Sequence, residues 1–357
     1  MDTFNRLLRS ATASRSNSKS MTSQQRKKTK EASMSIGVAP EKQKQMLPTE
    51  VERASASTST ATGTSSAASW NSNASSDGGR GSAGVSSAVG TVAWVGSSTG
   101  KPAERVGQDA HFCVNLSNKR VALGVFDGHG PHGREAANFA KEQIAKCLLK
   151  LSRSEELNDQ ADEGRVLGDL FAAVDFSMRQ RHWAGSSGVA ATVAILDLET
   201  ANMSCAHVGD CKLVVAHSPS QATFQTNNHL FAPGSDGERG APVTERMEET
   251  RLGAAARWWR RESGFSLSHL LGDRIAQDHG AVNTPEVSTG ISLPVGCSII
   301  LASDGLWRQI DVASACKMAT SQRHGQALAN NLASEAYPRW QEKGSYVDDI
   351  TVIAVKV

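Results

Sequence analysis

The sequence predicts an α+β fold on three observations. Short apolar runs come in clusters, helical stripes come in pairs before and after those clusters, and the first 88 residues carry neither pattern. Strands that follow one another directly, with helices gathered on either side of them in the chain, build separate layers; a parallel sheet would alternate strand and helix. A length of 357 residues at net charge +2 fits one large domain with an appendage. The composition changes near residue 88, so residues 1–88 read as a tail and residues 89–357 as the domain.

The tail is dominated by Ser, Ala, Thr, Gly, Lys and Arg, with Phe4 and Trp70 its only aromatic residues. It lacks the apolar surface that would offset the entropy of ordering and is expected to be disordered. Phe4-Asn5-Arg6-Leu7-Leu8-Arg9-Ser10 resembles the start of a mitochondrial presequence, with Asp2 against it. Arg26-Lys27-Lys28-Thr29-Lys30 reads as a nuclear signal or a solvated charge run. No run of about 18 apolar residues exists, so no membrane partner is expected, and a cytoplasmic or nuclear location is expected ahead of a mitochondrial one. Cys113, Cys147, Cys205, Cys211, Cys297 and Cys316 show no Cys-x-x-Cys spacing, and most sit in or beside apolar runs, as reduced core residues do.

From residue 91 the pattern turns regular. Residues 92–95 and 110–114 are short strands, with Arg105 in the polar loop between them. Residues 121–126 are almost wholly apolar, the mark of a strand covered on both faces, and Asp127-Gly128-His129-Gly130 is expected to end it. Residues 133–151 align Ala136, Ala140, Ile144, Cys147, Leu148 and Leu151 on one helical stripe; residues 165–182 align Leu167, Leu170, Phe171, Val174 and Met178. Residues 189–196, 203–208 and 212–216 read as consecutive strands, the last two joined by a tight Gly209-Asp210 turn. Residues 245–258 read as a short helix ending in Trp258-Trp259-Arg260-Arg261, either half-buried packing or a contact for a partner. Helices at 312–320 and 326–337 precede a closing strand at 350–357.

An apolar strand ending in Asp-Gly is an ordinary turn when it occurs once. Here it occurs at Asp127-Gly128 and again at Asp304-Gly305, in weaker form at Gly209-Asp210, and Asp348-Asp349 opens the last strand. Carboxylates at several strand ends, with no matching cluster of Cys or His, describe an all-oxygen site for a hard cation such as Mg²⁺ or Mn²⁺. Two such ions about 3.5–4 Å apart polarise a phosphoryl oxygen and generate hydroxide near neutral pH.

A set of stretches in fixed order now resembles a known family. They are Arg105-Val106-Gly107-Gln108-Asp109-Ala110, Phe126-Asp127-Gly128-His129-Gly130, Ser187-Gly188, Val208-Gly209-Asp210, Leu271-Gly272-Asp273, Thr284-Pro285-Glu286-Val287, Leu301-Ala302-Ser303-Asp304-Gly305-Leu306-Trp307 and Asp348-Asp349-Ile350-Thr351-Val352-Ile353. Together they resemble the metal-dependent protein serine/threonine phosphatases of type 2C over roughly residues 91–357. The resemblance implies a central antiparallel β-sandwich flanked by α-helices on both sides, four layers in the order αββα, with metals at one end. It implies hydrolysis of phosphoserine and phosphothreonine in phosphoprotein substrates by a metal-activated water, without a covalent phosphoenzyme. Asp127 matches the bridging carboxylate and Gly128 the position whose carbonyl joins one ion's shell; Asp304 and Asp348 match ligands of the other ion. Gln108, Asp109, Asp210 and Asp349 are further ligands or groups that hold the ligands and their water. His129 matches the general acid for the leaving oxygen, or a histidine that only orients its neighbours. Arg105 matches the phosphate-gripping residue, with a surface arginine as the alternative.

The departures from the family pattern carry information too. Gln108 stands where many members have Glu, Val189-Ala190 where small hydroxyl residues are common, and His269 where an arginine is usual. Arg308 occupies a position where members carry another Asp, which together with the counterpart of Asp210 helps to hold a third ion. A guanidinium there repels Mg²⁺, so two Mg²⁺ or Mn²⁺ ions are expected and a third is weakened or absent. These departures also motivate a rival reading: a phosphatase-fold protein with little catalysis that regulates by binding partners. Nucleic acid is not an expected partner, because the domain shows no concentrated basic stripe or aromatic platform, and a monomer is expected.

Overall fold

A computed structural model describes residues 89–94, 107–153, 160–231, 264–344 and 347–357. The tail at 1–88, Arg105 and the expected helix at 245–258 with Trp258 to Arg261 lie outside the described residues. In chain order the elements are strands β1 (Val89–Trp94), β2 (Asp109–Asn115) and β3 (Arg120–His129), then helices α1 (Gly133–Arg153) and α2 (Gln160–Arg179). Strands β4 (Gly188–Asp197), β5 (Asn202–Val208), β6 (Lys212–Ala216), β7 (Ala222–Gln225) and β8 (Leu271–Gly272) follow, then the short helix α3 (Arg274–Asp278). The chain closes with β9 (Glu286–Ser292), β10 (Ser298–Ala302), α4 (Asp304–Trp307), α5 (Val312–Ser321), α6 (Gly325–Lys343) and β11 (Ile350–Lys356).

Two antiparallel sheets result. One runs β1-β11-β10-β6-β7; the other runs β2-β3-β4-β5-β9, with β8 paired to β4. Alternation along each strand decides what lies between them. Val121, Leu123 and Val125 of β3 meet Leu213 and Val215 of β6, Ile299 and Leu301 of β10, and Ile353 and Val355 of β11 in a core between the sheets. The intervening Ala122 and Phe126 turn the other way, onto Ile144 and Leu148 of α1 and Leu167, Leu170 and Phe171 of α2. On the far side Ile300, Ala302, Val352 and Ala354 pack on Leu328, Leu332 and Ala336 of α6. Both faces of the central strands are therefore covered, which is why their sequences are continuous apolar runs, and the layer order is αββα.

The structure departs from the expected elements at a few points. Strand β3 does not stop at Asp127 but continues to His129, which pairs with Gly188 of β4. Residues 209–210 do turn the chain, yet β5 and β6 belong to different sheets, so the turn crosses between sheets instead of closing a hairpin. Helix α6 runs through Pro338 to bury Trp340, whose Nε1 donates to Gly305 O at 2.7 Å. Strands β7 and β9 lie at sheet edges and are largely exposed, so they lack the apolar run that marks the central strands. Cys205, Cys211, Cys297 and Cys316 are buried, Cys147 is partly buried and Cys113 is exposed; none forms a disulfide. Among the described residues no helix is long and apolar enough to cross a membrane.

Candidate active site

Antiparallel pairing sets the end of one strand beside the start of the next, and the acidic residues occupy those ends. Asp109 opens β2 directly opposite Asp127 near the end of β3. By alternation Asp127 shares the face of Leu123 and Val125, the one turned between the sheets. In the other sheet β10 ends at Ala302, while Asp304 follows it, Asp348 and Asp349 precede β11, and Asp210 precedes β6. Ser303 extends the β10–β11 pairing: its N–H donates to Thr351 O at 3.1 Å and its Oγ accepts from Thr351 N at 3.0 Å. Gly305 is required at the turn, because a Cβ there would lie 2.0 Å from Asp349 O.

Charge shows how closely these carboxylates gather. Burial, then the negative charges of Asp109, Asp304, Asp210 and Asp348, push the Asp127 carboxyl well above the ordinary carboxylate range. Asp304 is raised by burial against the pull of Arg308. Burial and the nearby Asp304 push Asp210 up to about 7. Asp109 is also raised, by burial first, with hydroxyls of Ser303 and Thr351 working against the shift. Its Oδ2 is buried without a hydrogen-bond partner among the described residues. A cluster of oxygen donors with mutual repulsion and an orphaned buried oxygen fits a hard divalent ion such as Mg²⁺ or Mn²⁺.

Gln108 and Gly128 shape one wall. The Gln108 N–H donates to Asp349 Oδ2 at 2.6 Å, and its Nε2 donates to Gly130 O at 2.9 Å. A Cβ on Gly128 would lie 2.0 Å from Gly133 O and 2.8 Å from Gln108 O, so only glycine allows β3 and the start of α1 to approach so closely.

His129 is held by a residue to which sequence reasoning gave no role. Its Nε2 lies 3.1 Å from Asp273 Oδ2, while Asp273 Oδ1 accepts from Ala276 N at 3.0 Å at the start of α3. The Asp273 backbone is left-handed, at φ 38°. Its position is enforced from behind by buried Asp175 of α2, which accepts from Gly272 N at 2.9 Å and Gln277 Nε2 at 3.0 Å and also binds Asn283. Gly188 leaves room for the imidazole, since a Cβ there would sit 3.0 Å from His129 Cε1 and 2.6 Å from Leu271 O. The signal available in sequence was the Leu271-Gly272-Asp273 stretch; its contact with His129 spans 144 positions of the chain.

Arg308 points into the cluster. Its Nε lies 2.7 Å from Asp304 Oδ2. Burial disfavours its charge, but Asp304, Asp210, Asp348 and Asp127 outweigh that and raise its pKa further. The structure thus brings Asp127, Gly128, Asp304, Asp348, Gln108, Asp109, Asp210 and Asp349 to one end of the sandwich with His129 close by on β3.

An αββα sandwich with gathered carboxylates at one end is the architecture of a metal-dependent hydrolase of phosphate esters. A model of the protein phosphatase 2C family matches residues 95–343. The chain is 26% identical over 255 residues to probable protein phosphatase 2C 72 of Arabidopsis thaliana, covering 65% of this chain and 75% of that protein. It is 28% identical over 267 residues to a probable protein phosphatase of Dictyostelium discoideum, covering 68% of this chain but only 26% of that longer protein. The crystal structure of serine-threonine phosphatase 2C from Toxoplasma gondii superposes with a TM-score of 0.56 at 19% identity, over 74% of this chain and 98% of that one. Serine/threonine phosphatase Stp1 from Staphylococcus aureus gives 0.55 at 15% identity, over 79% and 99%. The chain belongs to the protein phosphatase 2C family, whose members are metal-dependent protein serine/threonine phosphatases.

The raised carboxyls link stability to pH. Asp210 holds its proton to about pH 7 in the fold, against an ordinary value of 3.8, so its contribution is fully present below the lower value and lost as pH rises through the upper one. The thermal midpoint of the chelator-treated protein is expected to fall between pH 5.5 and 8. Excess Mg²⁺ or Mn²⁺ should suppress that fall, and Asp210→Asn should make it shallower; scanning calorimetry across that range checks both.

Proposed function

We propose that this chain hydrolyses phosphoserine and phosphothreonine in proteins through a site that holds two divalent ions. The observation that carries the reading is the convergence of carboxylates from both sheets: Asp127, directly opposite Asp109 in the ladder, feels the charges of Asp304, Asp210 and Asp348 from the other sheet. Asp127 and the Gly128 carbonyl would hold one ion, and Asp304 and Asp348 the other. Bound there, the ions supply Lewis acidity toward the phosphoryl group and lower the pKa of a water.

The chain's own residues do the remaining work. Asp109 stands opposite Asp127 in the ladder, and the Gln108 N–H fixes the Asp349 carboxylate. His129 delivers a proton to the departing serine or threonine oxygen. Asp273 orients its imidazole, with Oδ2 3.1 Å from Nε2. Arg105, outside the described residues, is assigned the grip on the phosphate. Arg308 stands against Asp304 as a tethered cation and excludes a third ion.

That same Arg308–Asp304 contact favours a second reading, a regulatory protein that binds phosphoproteins with little turnover. The two readings part on one assay: phosphate release from a phosphothreonine peptide with Mn²⁺. Asp127→Asn and Asp304→Asn are expected to lower kcat at least about a hundredfold, in the range seen when a charge-stabilising group is removed from an active site. Equal low activity in wild type and both variants assigns the chain to the regulatory class.

Two more outcomes test the separate roles. His129→Ala should lower peptide turnover about 10²–10⁴-fold yet affect an aryl phosphate far less, because an acidic phenol leaves without a proton; an equal loss on both substrates removes the general-acid role. Arg308→Asp should add one bound Mn²⁺ per chain in equilibrium dialysis and raise turnover, and an unchanged stoichiometry removes the exclusion argument.

A further inference from the structure

Three histidines far apart in the chain form a column next to the turn that carries Asp210. His207 ends the inter-sheet face of β5, in line with Met203 and Cys205, and stands opposite Glu286 of β9 in the ladder. The His207 ring stacks on His229 at 4.4 Å between centroids and 14° between planes. His269 also meets His229, at 4.1 Å between centroids and 37° between planes. His229 is anchored by its own backbone, whose N–H donates to Gly209 O at 2.9 Å and whose carbonyl accepts from Ser268 N at 2.9 Å.

The hydrogen bonds fix which nitrogens carry hydrogen. The Asn227 carbonyl accepts from His207 Nε2 at 2.9 Å, and the Glu286 carboxylate accepts from His229 Nε2, with Oε2 at 3.2 Å. His207 Nδ1 is buried, and among the described residues it has no hydrogen-bond partner. His207 and His229 are themselves only 1% and 7% exposed. Buried lone pairs without donors are rare in native proteins and mark a group that something else completes. One ligand atom from each of His207, His229 and Glu286 lies within 4.8 Å of the other two.

We propose that His207, His229 and Glu286 form a second metal site, distinct from the carboxylate cluster, for a divalent transition ion of the zinc class. Two imidazole nitrogens and a carboxylate oxygen are a borderline donor set that favours Zn²⁺ or Co²⁺ over Mg²⁺, the reverse of the all-oxygen cluster. The 3.2 Å between His229 Nε2 and Glu286 Oε2 is close to the roughly 3.4 Å that two tetrahedral ligands at about 2.1 Å require, and the two imidazoles, stacked 14° from parallel, turn on binding so that their in-plane lone pairs meet at the ion. His207 supplies Nδ1, since its Nε2 hydrogen is committed to Asn227. That bond to a carbonyl is the usual support of a ligating imidazole, holding ring and tautomer. The hydrogen on His229 Nε2 moves to Nδ1 of the same ring as the ion takes its place.

Protonation does not compete at neutral pH. Burial, then the neighbouring His207 and His269, hold His229 down at about 3; burial and His207 hold His269 at about 4, and burial lowers His207. Neutral imidazole is the form that binds metal. Glu286 is the half-exposed member, with 44% of its side chain open, so an ion reaches the site from that side.

Co²⁺ titration of the full metal-free chain, with millimolar Mg²⁺ present to occupy the carboxylates, tests this. Wild type and Asp127→Asn should each bind one Co²⁺ with the visible d–d absorption of tetrahedral nitrogen and oxygen ligation. His229→Gln and Glu286→Gln should bind it at least about tenfold more weakly. Glu286→Gln leaves the buried rings in place, and its metal-free thermal midpoint, matching wild type, keeps the test readable if His229→Gln does not fold. The proposal is overturned if wild type shows no such absorption, if Glu286→Gln binds as tightly as wild type, if Asp127→Asn abolishes the signal, or if a near-ultraviolet thiolate band assigns the ion to a cysteine.

Discussion

Repulsion among Asp109, Asp127, Asp210, Asp304 and Asp348 is the constraint on which the rest of this domain depends. Two unit charges at hydrogen-bonding range interact by about 4 kcal/mol near a protein surface, and several such pairs rival the whole stability of a domain, about 5–15 kcal/mol. The group cannot be fully ionised without a counter-charge. Protons serve in the metal-free protein, as the raised carboxyls show. A guanidinium serves in part, through Arg308 on Asp304. Divalent ions serve best, and the fold is arranged to receive them.

Holding such a group together is the task of the two sheets. Apolar packing between the layers fixes β3 against β6, β10 and β11, and the ladders leave no freedom for their ends to move apart. Glycine appears where the backbones come closest, at Gly128 against Gly133 and Gly305 against Asp349. The Asp175–Gly272–Asp273–His129 chain of contacts extends the same logic to His129, since a buried carboxylate on α2 ultimately sets the imidazole's orientation. The geometry of the site is a by-product of strand pairing.

Much of this was legible in the chain itself. Strands covered on both faces announce themselves as unbroken apolar runs, so residues 189–196 and 212–216 were found nearly to the residue. Edge strands did not, because Glu286 to Ser292 exposes most of its side chains and carries no hydrophobic period. The extension of β3 to His129 was hidden by its glycines, which in sequence look like a turn and in the fold permit close packing. The turn at Gly209-Asp210 was visible, while its passage from one sheet to the other depended on which partners β5 and β6 would find.

The sequence by itself determined the α+β class, the acidic strand ends and the family, because local pattern and motif order survive without coordinates. The gathering of His207, His229 and His269, which no spacing relates, was decided only by the tertiary structure. The engagement of Arg308 with Asp304 and the pairing of His129 with Asp273 were likewise decided only in three dimensions. Long-range side-chain contacts are set by how layers close on one another, and no local period encodes that closure.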